Sequence, residues 1–257
     1  MSLFLHRLAS PKHFYCLSGR WLPWLGGITL ILLATGLYLG LWVAPPDYQQ
    51  GEAYRIIYVH VPAAWMSLFV YVFMAVAGAI GLIWNIKMAD VMAVTSAPLG
   101  AAFTFLALIT GAIWGKPMWG AFWVWDARLT SELILLFLYL GYIALTNAIE
   151  DPRTAARAGA ILAIVGSVNI PIIHYSVEWW NTLHQGPTIT RFAKPAIHAS
   201  MLWPLLLMAL GFQSYFFTVL LIRARTELLK RERRSRWVQT LFGNSGERIV
   251  SNGKVSL

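Results

Sequence analysis

Long apolar runs separated by short polar interruptions fill most of this chain, and the runs exceed what a soluble core helix needs. Six of them, near 21–43, 59–84, 91–114, 133–149, 158–177 and 196–222, are long enough to cross a hydrocarbon core about 30 Å thick. A helix satisfies its own backbone hydrogen bonds in lipid. The pattern therefore predicts an all-α, polytopic integral membrane protein with six transmembrane helices. The fourth run is the shortest, and its start extends back toward Thr130. The first run is too long for the apolar part of a signal peptide, and its small-residue exit, Val43-Ala44, runs straight into Pro45-Pro46. It reads as a retained anchor.

Composition agrees with this pattern. Apolar residues make up 58% of the chain and charged residues 12%, with mean hydropathy +0.60. That charged share is about half of what a soluble domain carries. The net charge of +9 is concentrated in the last segment, 223–257, directly after an apolar run. A basic tail in that place fits the anionic headgroups of membrane lipid and argues against nucleic acid. Arg7, Lys12, Arg20, Lys87, Arg153, Arg157 and nine tail residues fall on one side of the predicted bundle. Arg55, Lys116, Arg128, Arg191 and Lys194 fall on the other. The bias predicts that both termini are cytoplasmic. Segments 44–58, 115–132 and 178–195 then face the outside. The whole chain, 1–257, reads as a single transmembrane domain: an amino-terminal segment 1–20, a bundle 21–222 and a basic tail 223–257.

Charge and cysteine usage exclude further classes. Cys16 is the single cysteine, so no internal disulfide can form, and no Cys-x-x-Cys-His site for covalent haem is present. No Gly-rich phosphate loop occurs, so any ATP used with this protein is hydrolysed by another chain.

The unusual chemistry lies in the outer segments, taken broadly as 44–60, 114–132 and 178–198. The stretch 114–130 holds four tryptophans, Trp114, Trp119, Trp123 and Trp125, together with Phe122, Asp126 and Arg128. A helix starting at Pro117 would put Trp119, Phe122, Trp123 and Asp126 on one face, forming a flat aromatic shelf for a large planar ligand. The plainer reading is an interfacial aromatic belt. Asp126 could orient a tryptophan N–H or a partner chain. His60 opens the second span and His184 lies in the third outer segment, on the same side as the tryptophans. Two neutral imidazoles approaching from opposite faces suit a six-coordinate haem iron. His198 is their rival at the start of the sixth span. His174, in the fifth span, reads as structural, bonded to a carbonyl freed by Pro171. His6 and His13 read as solvated surface residues. Arg55 and Arg128 are candidates for haem propionates, against the alternative of an interfacial ion pair of Arg128 with Asp126 or Glu132.

The stretch from Trp114 through Trp119, Trp123, Trp125 and Asp126 to Thr130 resembles the tryptophan-rich WWD signature of membrane haem-handling proteins. With the segments around His60 and His184, residues 20–222 resemble the cytochrome c maturation protein C family. The resemblance implies b-type haem held at the periplasmic face of the bacterial inner membrane, with His60 and His184 as flanking iron ligands. It implies delivery to a periplasmic haem chaperone, cytochrome c maturation protein E, for c-type cytochromes. The partners it implies are an ATP-binding subunit, a second membrane subunit and a small single-span subunit (proteins A, B and D) of an ABC-type haem export and release complex. It implies an assembly factor, not an enzyme. Phe122 departs from the strongest form of the signature, where tryptophan is common. The competing readings are a haem-transporting permease subunit and an electron-transfer cytochrome b subunit.

Overall fold

A computed structural model of the chain describes residues 10–180, 182–184 and 197–242. The described residues form helices and connections with no β-strand, and six helical stretches are long and apolar enough to span a membrane. These are Pro11–Val43, Glu52–Trp84, Lys87–Trp119, Ala127–Ala148, Pro152–Trp179 and Ala199–Arg231. The all-α, six-span expectation is met, with helices that run further than the apolar runs alone suggest.

Local chemistry sets the helix ends. Helix α1, Pro11–Tyr38, starts with Pro11 in the first turn, where a missing N–H costs nothing. It widens into a π turn, Leu39–Val43, and stops because Pro45 forces Ala44 into extended backbone. Asp47 Oδ1 then accepts the N–H groups of Gln49 and Gln50 at 2.9 and 2.8 Å, which turns the chain back. A 3₁₀ turn, Glu52–Ile56, leads into α2, Ile57–Trp84. Asn85 in left-handed conformation separates α2 from α3, Lys87–Trp119. Helix α4, Ala127–Ala148, is capped by Asp126, whose carboxylate accepts Leu129 N–H at 2.8 Å.

The fifth span is not one helix. It breaks at Ser167–Val168 into α5, Pro152–Gly166, and α6, Asn169–Trp179. Pro171 explains the break, since its nitrogen cannot donate to Ser167 and the turn before it reverts to tighter bonds. Asn169 repairs part of it by donating to the Ser131 carbonyl of α4 at 2.9 Å. The last span, α7, is Ala199–Arg231 and takes in the first residues of the predicted tail.

Helix α2 is the hub, packed against α3, α5 and α7. Its buried face supplies Tyr58, Val70, Tyr71 and Met74 to the core, which Leu135, Tyr139, Leu205, Met208 and Phe216 complete. Helix α1 packs mainly on α7, glued by the Thr29 hydroxyl to Ser214 and Thr218 at 2.8 and 3.1 Å. Its other face exposes Trp24, Leu30 and Ile31, as lipid-solvated side chains must be. The links after α1 and α3 and the residue His184 beyond α6 gather at one end of the bundle, joined there by Gln50–Trp114 and Asp126–His184 hydrogen bonds.

Candidate functional site

The site lies where α2 and α4 begin and α3 ends. His60 is in the first turn of α2. Its Nδ1 is 3.1 Å from both the Ala107 carbonyl oxygen and Thr110 Oγ1. A carbonyl only accepts, and the Thr110 hydroxyl already donates to the Leu106 carbonyl at 2.6 Å. The proton therefore sits on Nδ1, leaving a lone pair on Nε2. Gly111 permits this approach, because a Cβ there would stand 2.9 Å from His60 Cε1. One turn on, Trp114 meets the imidazole edge-on, with ring centroids 5.6 Å apart at 75°. Trp114 Nε1–H donates to Gln50 Oε1 at 2.9 Å, and Tyr54 meets the same indole edge-on at 5.9 Å.

His184 repeats the arrangement with stronger chemistry. Its Nδ1 is 2.9 Å from Asp126 Oδ2. A carboxylate accepts, so Nδ1 again carries the proton and Nε2 the lone pair. Asp126 divides its oxygens between this bond and the α4 cap, and it is almost fully buried. Trp119 stands edge-on to the ring, centroids 4.8 Å apart at 69°. Burial pushes the His184 imidazole below the ordinary histidine value, against the opposing pull of Asp126. The ring is thus neutral at neutral pH, as a ligand must be. Neither Nε2 has a hydrogen-bond partner among the described residues. The two imidazoles and the Arg128 guanidinium lie within electrostatic range of one another.

The tryptophan segment is not the predicted helical shelf. Helix α3 ends at Trp119, and Gly120 takes φ +77°, a left-handed C-terminal residue. Residues 121–126 are irregular until Asp126 starts α4. Trp119, Phe122, Trp123 and Asp126 therefore do not share a helix face. Phe122 and Trp125 are exposed, the first beneath the Lys116 ammonium at 5.3 Å. Trp123 meets Trp125 edge-on at 5.3 Å, and its buried Nε1–H has no acceptor among the described residues.

The two arginines differ. Arg55 is engaged: it bonds to Glu52 and donates to the Gly40 and Ala44 carbonyls at 2.9 and 2.8 Å, closing the end of α1. The Arg128 carbonyl accepts the Ser131 hydroxyl at 3.1 Å, but its guanidinium forms no hydrogen bond or ion pair among the described residues. Its acidic neighbours are occupied, Asp126 by His184 and Glu132 by the Ser67 hydroxyl at 2.7 Å. The alternative reading, an ion pair of Arg128 with either acid, does not form among the described residues. His174 is exposed against Tyr175, not bonded to a freed carbonyl. His198 caps α7 through Ser200. Cys16 is an exposed free thiol. His6, Arg191 and Lys194 lie outside the described residues.

No three His, Cys, Asp or Glu side chains converge on a metal among the described residues. Two imidazoles suffice for a metal that brings its own planar macrocycle. The orphaned Trp123 N–H and the free Arg128 suit an acidic edge on such a group. The residues present thus fit it. Sequence reasoning missed Gln50, Ala107, Thr110 and Gly111, whose roles arise only from tertiary contact. It also missed the buried Glu132–Ser67 bond, although a carboxyl beside an apolar run was a readable signal.

The family model described as "Heme exporter protein C" matches residues 4–239. Heme exporter protein C of Escherichia coli (strain K12) is 51% identical over 245 residues, covering 95% of this chain and 98% of the relative. That of Haemophilus influenzae is 52% identical, covering 93% and 97%. That of Rhodobacter capsulatus is 44% identical, covering 87% and 93%. Because the match runs through every element that builds the site, this chain belongs to the Heme exporter protein C family.

Proposed function

We propose that the chain binds b-type haem as cargo at the periplasmic end of its bundle in the bacterial inner membrane. It delivers the haem to a periplasmic haem chaperone for c-type cytochrome biogenesis. It acts as a non-catalytic assembly factor in an ABC-type export and release complex with an ATP-binding subunit, a second membrane subunit and a small single-span subunit. The relatives' names support haem as the cargo. The bias of Lys and Arg supports a periplasmic site end, with both termini cytoplasmic.

One observation carries the reading. His60 and His184 each have Nδ1 tied to an acceptor and Nε2 left with a free lone pair. Haem supplies an iron with two open axial positions and two propionates. His60 and His184 would take the axial positions, each steadied by its own indole, Trp114 and Trp119. Asp126 makes His184 the more basic ligand, because a carboxylate on Nδ1 raises the donor strength of Nε2. The Ala107 carbonyl does less for His60. Arg128 would take a propionate, which is supported by both neighbouring acids being already occupied, whereas Arg55 would have to leave the end of α1 to serve.

The test is an absorption spectrum of the purified full-length protein in detergent, with haem added. The wild type gives a six-coordinate, low-spin spectrum, and the single His60→Ala and His184→Ala variants give five-coordinate ones. A His60→Ala, His184→Ala double variant with an unchanged bis-histidine spectrum overturns the assignment.

A further inference from the structure

We propose that the Trp123 indole N–H is a hydrogen-bond donor to a haem propionate, which places Trp123 at the acidic edge of the cargo and not only along its flat face. The proposal rests on the haem reading above. An indole nitrogen can only donate, and here it is buried without an acceptor among the described residues. Buried donors are nearly always satisfied, so an orphan in the short link between Trp119 and Asp126, the two residues that hold His184, marks where a ligand atom belongs. The contrast within the segment is sharp. Trp114 gives its N–H to Gln50, while among the described residues Trp123 has nothing to give its own to. The other orphan among the described residues, the Tyr71 hydroxyl, lies in the core against Gly166, away from the site.

The indole is also held in place. It lies in the irregular link between the left-handed Gly120 and the Asp126 cap, edge-on to the exposed Trp125. The Asp126 N–H bonds back to the Val124 carbonyl at 2.8 Å, tightening the link directly after it. Five residues on, Arg128 presents a guanidinium with no partner among the described residues. A neutral donor and a cationic donor flanking one short link complement a carboxylate.

Trp123→Phe removes the N–H and keeps an aromatic ring. The full-length variant and wild type are titrated with haem and with iron octaethylporphyrin, in which ethyl groups replace the propionates and no side-chain oxygen is left to accept. With haem, the variant's dissociation constant rises about tenfold over wild type. With the octaethylporphyrin, the ratio between variant and wild type falls to about one, which also shows that the variant is folded. Equal haem affinities overturn the proposal. So does a tenfold ratio that persists with the octaethylporphyrin, since the N–H then serves the ring or another acceptor such as a lipid phosphate. A wild type that takes up neither porphyrin overturns the haem reading itself, and this proposal with it.

Discussion

Asp126 holds His184 at 2.9 Å with one carboxylate oxygen while its other oxygen caps α4 at Leu129. One side chain thus sets where the fourth span begins and which nitrogen of His184 is free. The substitution Asp126→Asn would separate the two duties. Asparagine caps a helix about as well as aspartate, so α4 would start normally. Its amide has one acceptor and would turn its NH₂ toward Nδ1, removing the bond that fixes the tautomer. Asp126→Asn is expected to keep the thermal stability of the protein and weaken haem retention roughly 10–100-fold, the usual cost of losing such a supporting bond. Asp126→Ala is expected to lose both, with about 1 kcal/mol from the missing cap. Retention and melting measured together on the two variants separate the roles. If Asp126→Asn holds haem as tightly as wild type, the carboxylate does not tune the ligand.

Gly111 tests the other histidine. A methyl at this position stands 2.9 Å from His60 Cε1, closer than carbon atoms pack, so the ring must leave the Ala107 carbonyl. Gly111→Ala is expected to convert the six-coordinate haem spectrum to a five-coordinate one, with His184 retained. Gly27→Ala is the control, because nothing lies within 4 Å of a Cβ there. In that exposed helical turn alanine is expected to be neutral or stabilising by up to about 1 kcal/mol. A low-spin spectrum in Gly111→Ala identical to wild type removes His60 as a ligand held in this pose.

The spans were legible in the sequence because lipid imposes length and apolarity on each of them independently, and no tertiary information is needed to count them. The shared neighbourhood of the two histidines has a related reason: the topology brings the start of α2, the end of α3 and the start of α4 to one end, where His184 also lies. The shelf misread the local rule. Apolar spacing through Trp119, Phe122 and Trp123 suits a helix, but Gly120 stops it, and Asp126 was available as a cap for the next helix. Pro171 announced a break in the fifth span that the apolar run concealed. Arg55 closing α1 and Gln50 holding Trp114 depend on contacts between segments, which a single chain's pattern does not encode.

Gln50 gives a third expectation. Leucine in its place leaves the Trp114 N–H without an acceptor, at a cost of about 1 kcal/mol, and frees the indole that steadies His60. Gln50→Leu is expected to raise the haem dissociation constant about fivefold and to lower the apparent melting temperature by about 2–4 °C. Gln50→Glu keeps an oxygen for the indole and should recover most of the loss. An unaltered affinity in Gln50→Leu means that Trp114 is held well enough by Tyr54 and its own helix.

The buried bond beneath the site can be tested without haem. Ser67 Oγ lies 2.7 Å from Glu132 Oε1 and 2.8 Å from the Ala64 carbonyl, and Tyr139 donates to the Ser67 carbonyl at 2.7 Å. These contacts join α2 to α4 in the middle of the core, where Glu132 is 8% exposed. Ser67→Ala strands the Glu132 carboxyl in an apolar interior, which should cost about 1–3 kcal/mol. At roughly 2–4 °C per kcal/mol for a chain of this size, the apparent melting temperature in detergent should fall by about 2–12 °C. Glu132→Leu removes the need for a donor, and the single Ser67 hydroxyl proton can then turn to the Ala64 carbonyl, so its cost should be smaller. The decisive variant is Ser67→Ala combined with Glu132→Leu. With no carboxyl left to strand, the serine replacement should cost little in that background, and the double variant should melt close to Glu132→Leu alone. If Ser67→Ala lowers the melting temperature equally in both backgrounds, the two side chains are not coupled. The α2–α4 contact then owes its stability to Tyr139 and apolar packing.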